Sequence, residues 1–312
     1  SDARRQRGSS LEPLSAYGPA MDNGIVTPDS TIYDRALMED EEGNPWPMND
    51  GKYPTGRQLT IKEGMTRSLN TVSAQLLKTL TPQVSFNFLT QQLGFKLVDS
   101  RTNEDGTVQS DIELAPFALC ALSDGVTVRE MAGGFSTFIN DGVCGGTRTY
   151  TKVTDSEGNT VMENTPNTDK GFTNVRTDYY MLDCLQNVTA HGTAYGIQLD
   201  GVETGGKTGT TTSNTDIWFC GITPKYSGAV WVGYEHNYRL DGLYGRNAAN
   251  IWLAVMQKVH AGDSGLVFDS HPQDFEEVTY CVPRCGTCCN RPILEGQGSD
   301  RDLQSSEYRK QV

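Results

Sequence analysis

No stretch of this 312-residue sequence approaches the roughly 18 consecutive apolar residues that a membrane-crossing helix requires. No secretory leader opens it, because Ser1-Asp2-Ala3-Arg4-Arg5-Gln6-Arg7 is polar and basic with no apolar run behind it. Such a start reads as that of a fragment, with any membrane anchor lying upstream. Basic residues are the scarcer charge, 26 Lys and Arg against 39 Asp and Glu, for a formal net charge of −13. A nucleic-acid partner is therefore not expected, since phosphate binding needs a basic stripe. No internal repeat is visible, so a repeat architecture is not expected. With 36% hydrophobic and 21% charged residues, the composition is that of a globular chain, long enough for one large domain or two ordinary ones.

Eight cysteines divide into two sets. Cys120, Cys144, Cys184 and Cys220 are dispersed in apolar contexts and read as small buried hydrophobes. Cys281, Cys285, Cys288 and Cys289 crowd together near the end. Disulfides within an exported tail and a zinc site are both open for them, although adjacent cysteines make an unusual ligand pair. Composition turns polar and irregular at about Gly265, which suggests a main domain over 1–265 and a Cys-rich tail over 266–312.

Within the main part, Thr60-Ile61-Lys62-Glu63 and Thr127-Val128-Arg129-Glu130 are capping boxes that open helices. The first helix buries Ile61 and Met65, and the pattern resumes through Val72, Leu76, Leu77 and Leu80. Pro82 can start another helix that ends near Gly94. Further helices are expected over 177–189 and 248–260, and a hairpin at 150–162. Residues 17–34 and 39–56 read as loops, because Gly and Pro punctuate both. Two apolar, β-branched and aromatic runs, 217–222 and 229–234, are joined by a Pro/Gly turn and form an antiparallel pair. Lys207-Thr208-Gly209-Thr210 lies just before them, at or near the start of a preceding strand. Its glycine lets a ligand backbone approach, and its Lys and Thr side chains supply donors for a carboxylate and an amide. Taken alone, this tetrapeptide reads as an ordinary turn. Likewise Ser68 and Asn70 could be an N-cap pair at a helix break, and Ser9 an N-cap. A helical turn would put Ser9 and Glu12 on one face.

Taken together, these pieces are specific. Gly8-Ser9-x-x-Glu12-Pro13, Ser68-Leu69-Asn70 and Lys207-Thr208-Gly209-Thr210 occur in an order and at separations that resemble the transpeptidase domain of class A, bifunctional penicillin-binding proteins. The flanks at 63–77, 124–143, 192–194 and 218–234 resemble it too, so the similarity covers roughly residues 4–265. The tail resembles the cysteine-containing end of some Gram-positive members.

This resemblance implies an α+β penicillin-binding-protein/serine β-lactamase-like transpeptidase fold, with an antiparallel central sheet flanked by helices. The family's first strands precede the nucleophile, where only eight residues stand here, so either those strands lie in an upstream segment or the sheet is incomplete. The implied activity is D,D-transpeptidation of peptidoglycan stem peptides through an acyl-serine, with β-lactams as trapping mimics of the D-Ala-D-Ala end, at the outer face of the cytoplasmic membrane of a Gram-positive bacterium. By resemblance, Ser9 is the nucleophile, Ser68 and Asn70 relay protons and hold the peptide amide, and Lys207 sets the electrostatics. Thr208, Gly209 and Thr210 bind substrate, Thr208 and Thr210 gripping its terminal carboxylate, and no cofactor or metal is called for. The family carries Lys three residues after its nucleophile; here Glu12 stands there, and no serine in the chain is followed three residues later by Lys. A carboxylate is still a base, but it reverses the local charge and should pair with Lys207. Two alternatives follow, a catalytically impaired stem-peptide-binding module and a serine β-lactamase.

Overall fold

The computed structural model describes residues 3–40, 42–118, 122–268, 275–283 and 303–311. Its first elements are a 3₁₀ turn at Gly8–Leu11, a π-helical turn at Pro13–Tyr17 and the short helix α1 (Gly18–Asp22). Strand β1 (Thr31–Tyr33), the β2 (Met38–Glu39) and β3 (Pro45–Trp46) pair, and β4 (Gln58–Thr60) lead into α2 (Ile61–Arg67), α3 (Asn70–Leu80) and α4 (Pro82–Asn87). A small hairpin, β5 (Arg101–Thr102) with β6 (Val108–Gln109), precedes α5 (Leu114–Ala118) and α6 (Val128–Ser136). The exposed hairpin of β7 (Lys152–Thr154) and β8 (Thr160–Glu163) is followed by α7 (Thr177–His191). Then come β9 (Gly205–Thr210), β10 (Asp216–Ile222), β11 (Ser227–Gly233) and α8 (Gly245–Val259). Last, β12 (Phe275–Pro283) pairs antiparallel with β13 (Leu303–Gln311). Among the described residues no helix is long and apolar enough to cross a membrane.

The central sheet has the order β11-β10-β9, antiparallel throughout, with Trp218 opposite both Gly209 and Trp231 and Cys220 opposite Lys207. Every residue of β10 is buried, which is why its sequence is a continuous apolar run rather than an alternation. Trp252 of α8 meets Phe219 edge-on at 5.4 Å. Ser227 on β11 donates to the Ala132 carbonyl of α6 at 2.8 Å, and α7 packs along β9 through Leu185. Helices thus cover a three-stranded antiparallel sheet, the α+β arrangement expected.

Both capping boxes form. Glu63 N–H donates to Thr60 Oγ1 at 3.1 Å and Glu130 N–H to Thr127 Oγ1 at 3.1 Å, each glutamate accepting in return from the cap's backbone N–H. Residues 17–22 depart from the loop expected over 17–34, because the chain is helical from Gly8 to Asp22 with only Glu12 between the first two turns, while 23–30 are irregular. Pro13 and Pro19 stand in first turns, where their missing N–H groups cost nothing. This segment is buried on every side: Leu11, Leu14, Ala16, Tyr17, Ala20 and Met21 are all within 1% of full burial. A helix wrapped by protein has no polar face, so it leaves no 3.6-residue period to read. The 39–56 region is not simply an exposed loop either, since it contains β3 and the buried Asn49.

Cys144, Cys184 and Cys220 are unpaired and buried, as expected of them; Cys120, Cys285, Cys288 and Cys289 lie outside the described residues, as does the side chain of Cys281. The body continues to Phe268, where Leu266 bridges Val202 and the Phe268 N–H donates to Glu203 at 2.8 Å.

Candidate active site

The site begins where the 3₁₀ turn at Gly8–Leu11 docks against β9. Gly8 has φ +50°, and a Cβ there would lie 2.4 Å from the Thr210 carbonyl oxygen. A Cβ on Gly209 would lie 2.2 Å from the Arg7 carbonyl oxygen and 2.9 Å from the Ser10 nitrogen. The two segments therefore meet backbone to backbone, and only glycine permits it. Gly209→Ala should destabilise the fold by at least the upper end of the about 1–3 kcal/mol typical of overpacking, because the atoms it strikes are backbone and cannot rotate away. A urea midpoint within error of wild type would refute this. Trp218 fixes the same segment from β10, its indole N–H donating to the Gln6 carbonyl at 2.6 Å.

This docking carries Ser9 and Glu12 to Lys207. Glu12 and Lys207 are both fully buried, with Nζ 3.4 Å from Glu12 Oε2. Lys207 Nζ also donates to Ser68 Oγ at 2.6 Å and to the Thr208 carbonyl at 3.3 Å. Burial pushes the Glu12 carboxyl above its ordinary range, against the opposing pull of the Lys207 charge and of contacts with Lys207 and the Ser9 hydroxyl. Lys207 thus joins Glu12 and Ser68 from three remote segments, with Ser9 one helical turn before Glu12 on the same short segment.

A raised native pKa has a definite sign. Folded Glu12 binds its proton more tightly than unfolded Glu12, so its contribution to stability is fully present below the ordinary value of 4.5 and is lost as pH rises through the native pKa. Relative to Glu12→Gln, the wild-type melting temperature should therefore fall as pH is raised from about 4 to neutrality. A difference independent of pH would mean that burial does not shift this group.

Ser68 sits between α2 and α3 in the left-handed region, at φ 55° and ψ 52°. It does not cap α3, whose N-cap is Leu69 and which has no side-chain cap; the N-cap explanation of Ser68 and Asn70 is set aside. Asn70 instead donates through Nδ2 to the Met48 carbonyl at 2.8 Å. On β9, Thr208 Oγ1 lies 2.7 Å from Thr193 Oγ1, and Thr210 Oγ1 accepts from the Gly245 N–H at the start of α8, at 3.2 Å. Sequence reasoning passed over Met48 and Gly245 as site neighbours, since neither a backbone carbonyl nor a helix start advertises itself in composition.

Residues 5–257 match the family model described as the penicillin binding protein transpeptidase domain. Penicillin-binding protein 1A of Clostridium acetobutylicum is 31% identical over 263 residues, covering 81% of this chain and 30% of the relative. Penicillin-binding protein 4 of Bacillus subtilis is 30% identical over 259 residues, covering 83% and 39%. The chain spans about a third of the length of the curated relatives it matches. The crystal structure of penicillin-binding protein 1A from Haemophilus influenzae superposes with a TM-score of 0.71 at 20% identity, over 98% of this chain and 48% of that one, a likeness of fold.

Proposed function

We propose that this chain, which belongs to the penicillin-binding-protein transpeptidase family, is a D,D-transpeptidase domain that cross-links peptidoglycan stem peptides through an acyl-serine intermediate. The observation that carries the proposal is Lys207 joined to both Glu12 and Ser68, with Ser9 on the Glu12 segment, beside the Thr208 to Thr210 strand edge.

Ser9 Oγ attacks the penultimate D-Ala carbonyl carbon, and its proton passes to the Glu12 carboxylate. Backbone N–H groups of Ser9 and Thr210 receive the oxyanion, with the Lys207 charge nearby. As the tetrahedral intermediate collapses, the C–N bond to the terminal D-Ala breaks. The proton moves by way of Ser68 to the leaving nitrogen, and D-Ala departs as an amine. The amine of a second stem peptide then attacks the ester carbonyl, forms the cross-linking amide and returns Ser9 to its hydroxyl. Thr208 and Thr210 grip the terminal carboxylate. Thr210 Oγ1 already accepts from Gly245, which leaves its own hydrogen to donate. With Asn70 Nδ2 turned to Met48, its Oδ1 is the atom that accepts a peptide N–H. β-Lactams would acylate Ser9 as mimics of D-Ala-D-Ala. The intact protein would work at the outer face of the cytoplasmic membrane, in a Gram-positive bacterium.

Glu12 itself favours a second reading. A fully buried carboxyl paired with Lys207 puts negative charge where the oxyanion would grow, which suits a stem-peptide-binding module that acylates slowly or not at all. Incubation with a fluorescent penicillin, followed by intact mass and peptide mapping, separates the readings. A covalent adduct on Ser9, absent from Ser9→Ala, supports the transpeptidase. Reversible binding without a mass change supports the binding module, and rapid nitrocefin hydrolysis a serine β-lactamase. A folded protein that neither binds nor reacts overturns all three.

A further inference from the structure

We propose that Asp34 is a positioning residue for Asn70, a role that matters to catalysis only if the reading of the site above holds. Asp34 is 1% exposed, and four donors converge on its carboxylate. Asn49 Nδ2 at 2.8 Å and Thr71 Oγ1 at 2.7 Å reach Oδ1, while the Thr55 N–H at 2.8 Å and Thr55 Oγ1 at 2.7 Å reach Oδ2. Burial alone would raise this carboxyl, but the bonds from Thr55, Thr71 and Asn49 outweigh it and hold the group below its ordinary range. A charged acceptor at the centre of four donors is a strong tie.

The tie joins three places that share no secondary structure. Thr71 belongs to the first turn of α3, one residue after Asn70. Asn49 and Thr55 belong to the loop that follows β3. Asn49 closes the circuit by accepting the Thr71 N–H on its own Oδ1 at 3.2 Å. Its neighbour Met48 presents the carbonyl that takes the Asn70 Nδ2 hydrogen at 2.8 Å. Because that acceptor is a carbonyl, the NH₂ of Asn70 must face the loop and Oδ1 must face the other way. The orientation of the Asn70 carboxamide therefore depends on where the loop stands, and Asp34 fixes that.

Asp34→Asn would test this. It keeps the shape but offers one acceptor oxygen, so an NH₂ group must confront either the Thr55 donors or the Asn49 and Thr71 donors. In ligand-free full-length chain, the Asn70 side-chain NH₂ resonances, identified by their loss in Asn70→Ser, should move in Asp34→Asn toward those of an unrestrained carboxamide. Thr55→Val removes one donor at an exposed position and should move them less, in the same direction. It supplies the readout if Asp34→Asn does not fold. Asn70 resonances unmoved in the folded variant would overturn the proposal, whatever the protein binds. For a peptide ending in D-Ala-D-Ala, Asp34→Asn and Asn70→Ala should each weaken affinity about tenfold, and the double variant should be no weaker than either. Additive losses would assign Asp34 a general structural role and also overturn the proposal. Failure of wild type to bind the peptide would count against the functional reading, while the ligand-free resonances would still decide the role of Asp34.

Discussion

Glu12→Lys should accelerate acylation of Ser9 by a fluorescent penicillin by about 10²–10⁴-fold, the range that a positioned general base supplies. Two features of the site would limit Glu12 as a proton acceptor. Burial favours its protonated form, which has no lone pair to offer a hydroxyl proton at useful strength. Its ionised form is committed to Lys207 at 3.4 Å and opposes the negative charge that grows on the carbonyl oxygen. Lysine at the same place would sit against Lys207 with both side chains out of water. Two buried ammonium groups at that separation cannot both stay charged, so one is driven to the neutral amine. A neutral amine beside Ser9 is the base the acylation step requires. Single-turnover labelling, read by gel fluorescence with circular dichroism as the control for folding, gives the ratio directly. A folded Glu12→Lys that labels no faster than wild type would sink the assignment of Ser9 as nucleophile.

Lys207→Met should cost about 3–5 kcal/mol of stability at neutral pH, the loss typical when one member of a buried pair is removed and its partner stays behind uncompensated. Here the orphan is Glu12, fully buried, and Ser68 Oγ loses its donor as well. The loss should be smaller at low pH, because a protonated Glu12 no longer needs a counter-ion; the gap between variant and wild type narrows as pH falls toward 4.5. Lys207→Met combined with Glu12→Gln should recover much of the stability, since it leaves no charge behind. Urea unfolding of the three proteins at two pH values tests all of this. A loss of the same size at both would show that the Glu12 carboxyl is not the origin.

What the sequence disclosed and what it hid divide along physical lines. Thr60 and Glu63, Thr127 and Glu130, and the apolar runs around Phe219 and Trp231 act over a few residues, and their signals survive in a linear string. The pairing of Glu12 with Lys207 follows from opposite charge once both motifs share a cleft. The helical run from Gly8 to Asp22 was masked because it is enclosed on all sides. Asp34, Asn49 and Thr55 looked like loop residues, since polar side chains among Gly and Pro ordinarily face water. They are linked to α3 through partners 37 and 22 residues distant, a connection no local pattern encodes. Ser68 was the ambiguous case, because a serine at a helix junction is usually a cap. Its left-handed backbone leaves the hydroxyl to Lys207 instead.

The seam where Gly8 and Gly209 press main chain against main chain also bears on how the site can change over evolution. Neither glycine has a side chain for drift to enlarge, shrink or recharge, so the spacing between the Ser9 turn and the strand edge resists gradual adjustment from these two positions. Adjustment of the site would have to enter from the margins, at Thr193, at the Gly245 helix start or along the loop that Asp34 ties down.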